Sequence, residues 1–131
     1  MILHAPFAIS ARLLPAVQIG QTWISIEFAG ETWDGRVRYR YYIDTPDFEH
    51  EGSDLKSGCG GGSIQSGMES LLCFLGAAAE SYRYQGCQWT DNPDHNCSLF
   101  PENVCAWAYQ NSDEISMLEC ELQEGGELIE D

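Results

Sequence analysis

Residues 22–43 read TWISIEFAGETWDGRVRYRYYI, and two alternating runs joined by a turn signal decide the fold class. In the first run Ile24, Ile26 and Phe28 fall on one face and Trp23, Ser25 and Glu27 on the other. That period of two marks a half-buried strand. In the second run Val37, Tyr39, Tyr41 and Ile43 face one way, and Arg36, Arg38, Arg40 and Tyr42 the other. Asp34-Gly35 between them is a pair that tight turns favour, because glycine accepts a positive φ without steric cost. The expectation is an antiparallel hairpin, 22–28 with 36–43, whose apolar side faces a core.

Working outward, the apolar segment Phe7 to Leu14, bounded by Pro6 and Pro15, suits a third strand at a sheet edge. Beyond the hairpin, residues 45–63 read as a long loop. They carry Asp47, Glu49, Glu51 and Asp54 and end in the glycine-rich run 57–63, SGCGGGS, too rich in glycine for a regular element. Ser66 and Glu69 have the spacing of a capping box, and Met68, Leu71, Leu72, Leu75, Ala78, Ala79 and Tyr82 then follow helical spacing. These features predict a helix over about 66–84. Pro101 and Glu102 start a shorter helix, about 101–111, carrying Val104, Cys105, Trp107, Ala108 and Tyr109. Leu118, Cys120 and Leu122 alternate with Glu119 and Glu121, which suggests a last strand, with helix as the alternative because Glu and Leu are good helix formers. The segment from Glu124 reads as a mobile acidic tail. The predicted fold is therefore α+β, with an antiparallel sheet of about three to four strands and both helices packed on one face.

A chain of 131 residues, 44% of them hydrophobic, fits one domain around one core. Its longest apolar stretches fall well short of the roughly 20 residues that cross a bilayer, and Met1 to Leu14 lacks the pattern of a secretion signal. The six cysteines, Cys59, Cys73, Cys87, Cys97, Cys105 and Cys120, are accordingly expected to be reduced thiols of a cytoplasmic protein. The formal net charge is -15, from 21 acidic and 6 basic residues. Residues 91–131 hold 11 of the acids and no lysine or arginine. Such a surface repels nucleic acid and anionic membranes and attracts basic protein surfaces.

Chemical motifs are few. The glycine-rich run before a helix start has the bare backbone of an anion nest, but it lacks the lysine and serine or threonine of a phosphate-binding P-loop. Cys59 could serve as a nucleophile only with His50 or His95 as its base, and no spacing brings either close. Cys87, His95, Cys97 and Cys105 offer four soft zinc ligands within 19 residues, without the close cysteine knuckle that structural zinc sites use. No carboxylate pair stands out for acid–base chemistry. No cofactor and no enzymatic activity are expected. The arginines of the second strand suit internal charge balance with Glu27 or a neighbouring strand, or a basic stripe beside Trp23 and Tyr42 for an anionic ligand. Trp33, Trp89 and Trp107 suit either a core roof or an interface anchor.

Length, acidity and the lack of a cofactor signature together point to a protein-binding inhibitor that occupies a basic surface of its partner. Nucleic-acid mimics, such as anti-restriction or anti-CRISPR proteins, and toxin-immunity proteins are the analogues in charge and size. Asp113, Glu114, Glu119 and Glu121 would steer the encounter, and Trp107 or Tyr109 would dock. The alternatives are a zinc- or cysteine-dependent module around 57–63 or Cys87, His95, Cys97 and Cys105, and a structural subunit of a larger assembly.

Overall fold

The computed structural model describes residues 2–3, 8–57, 62–85, 100–124 and 128–129, and its centre is the hairpin. Strand β4, Thr22–Glu31, runs antiparallel to β5, Val37–Asp44, with Ile24 opposite Ile43, Ile26 opposite Tyr41 and Phe28 opposite Tyr39. The turn closes through the Thr32 N–H donating to the Arg36 carbonyl at 2.8 Å and the Gly35 N–H donating to the Thr32 carbonyl at 3.1 Å. Gly35 takes φ +85° there, a conformation that strains any residue with a Cβ. The register shifts between Phe28 and Gly30, a bulge near the end of the hairpin, and Phe28, expected on the core face with Ile24 and Ile26, is instead 49% exposed, its ring stacked on Tyr39.

The sheet is larger than the sequence pattern implied. It has five strands in the order β2-β3-β4-β5-β6, every neighbouring pair antiparallel. On one side β3, Pro15–Ile19, pairs with β4, and β2, Ala8–Ile9, pairs with β3. The single strand expected over Phe7 to Leu14 is thus replaced by a short strand, a turn, and a new strand that starts at Pro15. A proline is tolerated as the first residue of a strand. On the other side β6, Glu49–Lys56, pairs with β5, where a long loop was expected. Its sequence, EHEGSDLK, has no apolar alternation and Leu55 is its one residue in the buried core, so the strand owes its existence to main-chain bonding along the edge of β5. Gly52 sits under the Tyr41 ring, and a Cβ there would overlap it. A separate two-stranded sheet joins β1, Ile2–Leu3, to β7, Leu128–Ile129, which lies within the expected acidic tail.

One face of the sheet carries the core. Val17, Ile19, Ile24, Ile26, Tyr39, Tyr41, Ile43 and Leu55 meet Met68, Leu71, Leu72, Leu75, Ala78 and Ala79 of α1, Ile64–Gln85. The helical stripe read from the sequence is the buried one, as 3.6-residue periodicity requires. The cap lies three residues earlier than expected. The Ser66 N–H donates to Ser63 Oγ at 3.1 Å, and the Ser63 N–H donates to Ser66 Oγ at 2.8 Å. This is a reciprocal capping box with serine in the place of glutamate. Tyr39 of the sheet donates its hydroxyl to the Ser63 carbonyl at 2.8 Å, so the start of α1 is tied to β5.

Helix α2, Glu102–Gln110, agrees with the expected short helix. The expected last strand is instead a third helix, α3, Ser112–Glu124. Ile115 and Leu122 are buried and Leu118 packs against the core at helical spacing, whereas Cys120, inward in the strand reading, is exposed. Leu118 and Leu122 serve either period. Ile115, seven residues before Leu122, fits only the helix. Asn111 makes the corner between α2 and α3. Its backbone N–H donates to the carbonyls of Trp107 and Ala108, its side-chain amide donates to the Trp107 carbonyl at 2.8 Å, and its own carbonyl accepts the Ile115 N–H at 3.0 Å. Gln65 of α1 donates to the Leu122 carbonyl at 2.9 Å, tying α1 to the far end of α3. No helix among the described residues is long and apolar enough to cross a membrane.

His50 of β6 lies beside the rings of Tyr41 and Phe100, and burial there lowers its pKa below the ordinary 6.5. The unfolded chain therefore takes up the proton first. The contribution of His50 to stability is present above about pH 6.5 and is lost as pH falls through the depressed folded value. We expect His50→Gln to flatten the decline in stability as pH falls below about 6.5, read as the difference between variant and parent in denaturant unfolding. Parallel pH curves would assign that decline to other groups.

Candidate functional site

Among the described residues, a groove of about 900 Å³ lies between α1 and the α2–α3 corner. Its floor is low because α1 presents Cys73, Gly76 and Ala77 along one stripe, with Glu80 and Arg83 continuing it at helical spacing. The opposite wall is the end of α2 and the first turns of α3, with Tyr109, Asp113, Glu114 and Glu119. The Asn111 corner places these side chains, since it turns the chain within one residue and brings the N-terminus of α3 alongside α1. Tyr109 stands against Tyr82 of α1 with ring centroids 5.7 Å apart and is 44% exposed.

Four carboxylates, Glu80, Asp113, Glu114 and Glu119, thus line one groove with a single guanidinium, Arg83. Asp113 and Glu114 also have a local role, because the first turn of a helix favours negative charge. The excess of carboxylates over cations in the lining favours positive charge there.

Of the six residues read from the sequence as a partner-binding set, Tyr109, Asp113, Glu114 and Glu119 share this groove. Glu121 does not. It lies on the far side of α3, where a second depression of about 270 Å³ is lined by Gln18, Ile19, Gly20, Glu114, Met117 and Leu118. Glu114 stands on the ridge between the two. Trp107 is half-buried and packs against the core, so Tyr109 is the accessible aromatic of α2. Glu80 and the small-residue floor were not legible as site residues, because their position opposite α3 exists only in the folded chain.

The alternative site readings fare differently. Cys59, Cys87, His95 and Cys97 lie outside the described residues. Cys105 is buried, its thiol 3.9 Å from the Phe100 carbonyl, and no group of three potential metal ligands occurs among the described residues. Arg36, just before β5, and the arginines of β5 are partly balanced by carboxylates. Arg36 pairs with Asp34 at 3.1 Å and Arg40 with Glu51 at 3.5 Å. Glu27 instead accepts the Tyr42 hydroxyl at 2.6 Å, and this bond holds the phenol protonated to higher pH than usual. Arg12 is fixed by Asp44 at 2.8 Å and lies over the Tyr42 ring at 4.2 Å. Trp33 is almost wholly exposed at the hairpin tip, and Trp89 lies outside the described residues.

Comparison with family models, with curated proteins and with solved structures finds no match for the chain.

Proposed function

We propose that the protein is a small acidic inhibitor that binds a basic surface of a partner protein through the groove between α1 and the α2–α3 corner. The observation that supports this reading is the convergence of Tyr109, Asp113, Glu114 and Glu119 with Glu80 on one groove, in a chain whose formal net charge is -15. Carboxylates spread around a surface solvate it; carboxylates gathered beside an exposed tyrosine steer a cationic partner and give it an anchor. A partner that normally binds nucleic acid has the complementary surface, which makes nucleic-acid mimicry the specific form of the proposal.

The test is affinity capture from a bacterial lysate at low salt and at about 0.5 M salt, where the screening length falls to about 4 Å. The expected result is a basic, nucleic-acid-binding protein retained at low salt, released at high salt, and displaced by added DNA or RNA. Retention that survives high salt and ignores nucleic acid would overturn the electrostatic mechanism.

A further inference from the structure

The chain has six basic residues against 21 acidic ones, so a cation left without a carboxylate needs an explanation. Arg12, Arg36 and Arg40 each have one, in Asp44, Asp34 and Glu51. Arg38 and Lys56 do not: no described carboxylate oxygen lies within 4.0 Å of either. They are also directly opposite one another, Arg38 on β5 and Lys56 on β6. Like charges across a strand pair destabilise it, and a surface with so many acids could readily have supplied a counter-ion. Both side chains line a polar cavity of about 370 Å³ at the corner where the β4–β5 hairpin meets the end of β6. Arg36 and the half-buried Ser53 line it as well, and Trp33, 98% exposed, stands at its rim. Two carboxylates are also in the lining: Asp34 is taken up by Arg36 and Thr32, whereas Glu31, exposed at the end of β4, has no described cation within 4.0 Å and opposes an anion there, so the three cations of the lining outnumber its acids by one.

We propose that this corner binds the phosphate of a small, ring-bearing phosphate monoester, with the phosphate between Arg38 and Lys56 and the ring against Trp33. A phosphate monoester carries nearly two negative charges near pH 7 and three acceptor oxygens, so one group can satisfy both cations and the Ser53 hydroxyl together. A carboxylate offers one charge and two oxygens. Trp33 gives a planar face to whatever the phosphate is esterified to. The net charge of -15 opposes any dianion at long range, so binding rests on these short contacts. The site is independent of the acidic groove, which other elements build.

Amide NMR titration of the full chain with phenyl phosphate and with inorganic phosphate tests the proposal. Saturable shifts confined to residues 31–38 and 53–56 are expected for both, with phenyl phosphate tighter by a few-fold through Trp33. Lys56→Glu gives Arg38 an ion pair in place of a repulsion. It is therefore expected to raise the thermal midpoint while weakening phenyl phosphate by about tenfold or more. Trp33→Ala is expected to bring phenyl phosphate down to the level of inorganic phosphate. Absence of saturation up to about 10 mM, or affinity unchanged by Lys56→Glu, overturns the site. Equal affinity of the parent protein for the two ligands overturns the role of Trp33.

Discussion

Replacing Asp113, Glu114 and Glu119 together by lysine is expected to slow association with a captured basic partner by about a hundredfold at low salt. The change turns three of the four carboxylates of the groove into cations, so attraction becomes repulsion where the partner would dock. The effect belongs on the association rate, because long-range charge acts before contact, and it should shrink steeply at about 0.5 M salt. Asp113 and Glu114 also occupy the first turn of α3, where lysine costs about 0.3–1 kcal/mol each through the helix dipole. Glu119→Lys alone separates the two causes, since it lies past that turn. It is expected to reduce the association rate without lowering the helical circular dichroism. A dissociation-rate effect with no change in association would place the contact elsewhere, and an unchanged rate in the triple variant would remove the groove from the mechanism.

Gly67→Ala is expected to destabilise the protein by about 2 kcal/mol, opposite in sign to the usual gain of about 1 kcal/mol from alanine inside a helix. Gly67 lies in α1 directly against the Tyr39 ring, and a Cβ there would fall 2.6 Å from Tyr39 Cε1 and 2.8 Å from Cδ1 and Cζ. The ring is fully buried, stacked on Phe28 and bonded through its hydroxyl to the Ser63 carbonyl. It cannot move aside without giving up one of these contacts. A shorter side chain at Tyr39 makes the room, so Tyr39→Leu combined with Gly67→Ala is expected to cost less than the sum of the single changes in denaturant unfolding. Strict additivity, or stabilisation by Gly67→Ala, would show that the helix and strand do not approach so closely.

The two predictions concern different links of one chain of causes. Gly67 lets α1 settle on β5. α1 in turn supplies the floor of the groove, and the Asn111 corner supplies its acidic wall. Asp113, Glu114 and Glu119 could be singled out from the sequence because acidic residues without neighbouring cations stand out in composition, and Tyr109 because it is an aromatic on the short helix beside them. That they share a groove, that Glu121 faces another depression and that Trp107 leans on the core are consequences of helical phase around one corner. A period of two through Leu118, Cys120 and Leu122 turns Cys120 inward, whereas the helix turns it out and Ile115 in.

The features legible in the residues alone are local. Ile24, Ile26, Tyr39, Tyr41 and Ile43 alternate, so the hairpin and its buried face follow from the pleat. Met68, Leu71, Leu72 and Leu75 repeat at helical spacing, so the face of α1 that meets the sheet follows from 3.6 residues per turn. The remaining features arise from contacts between distant segments. β6 carries no pattern of its own and exists because β5 offered it a row of backbone donors and acceptors. The meeting of Arg38 with Lys56, and of Glu80 with Asp113 and Glu114, likewise depends on register and helix docking. These are set by packing between segments distant in sequence, which local patterns do not encode.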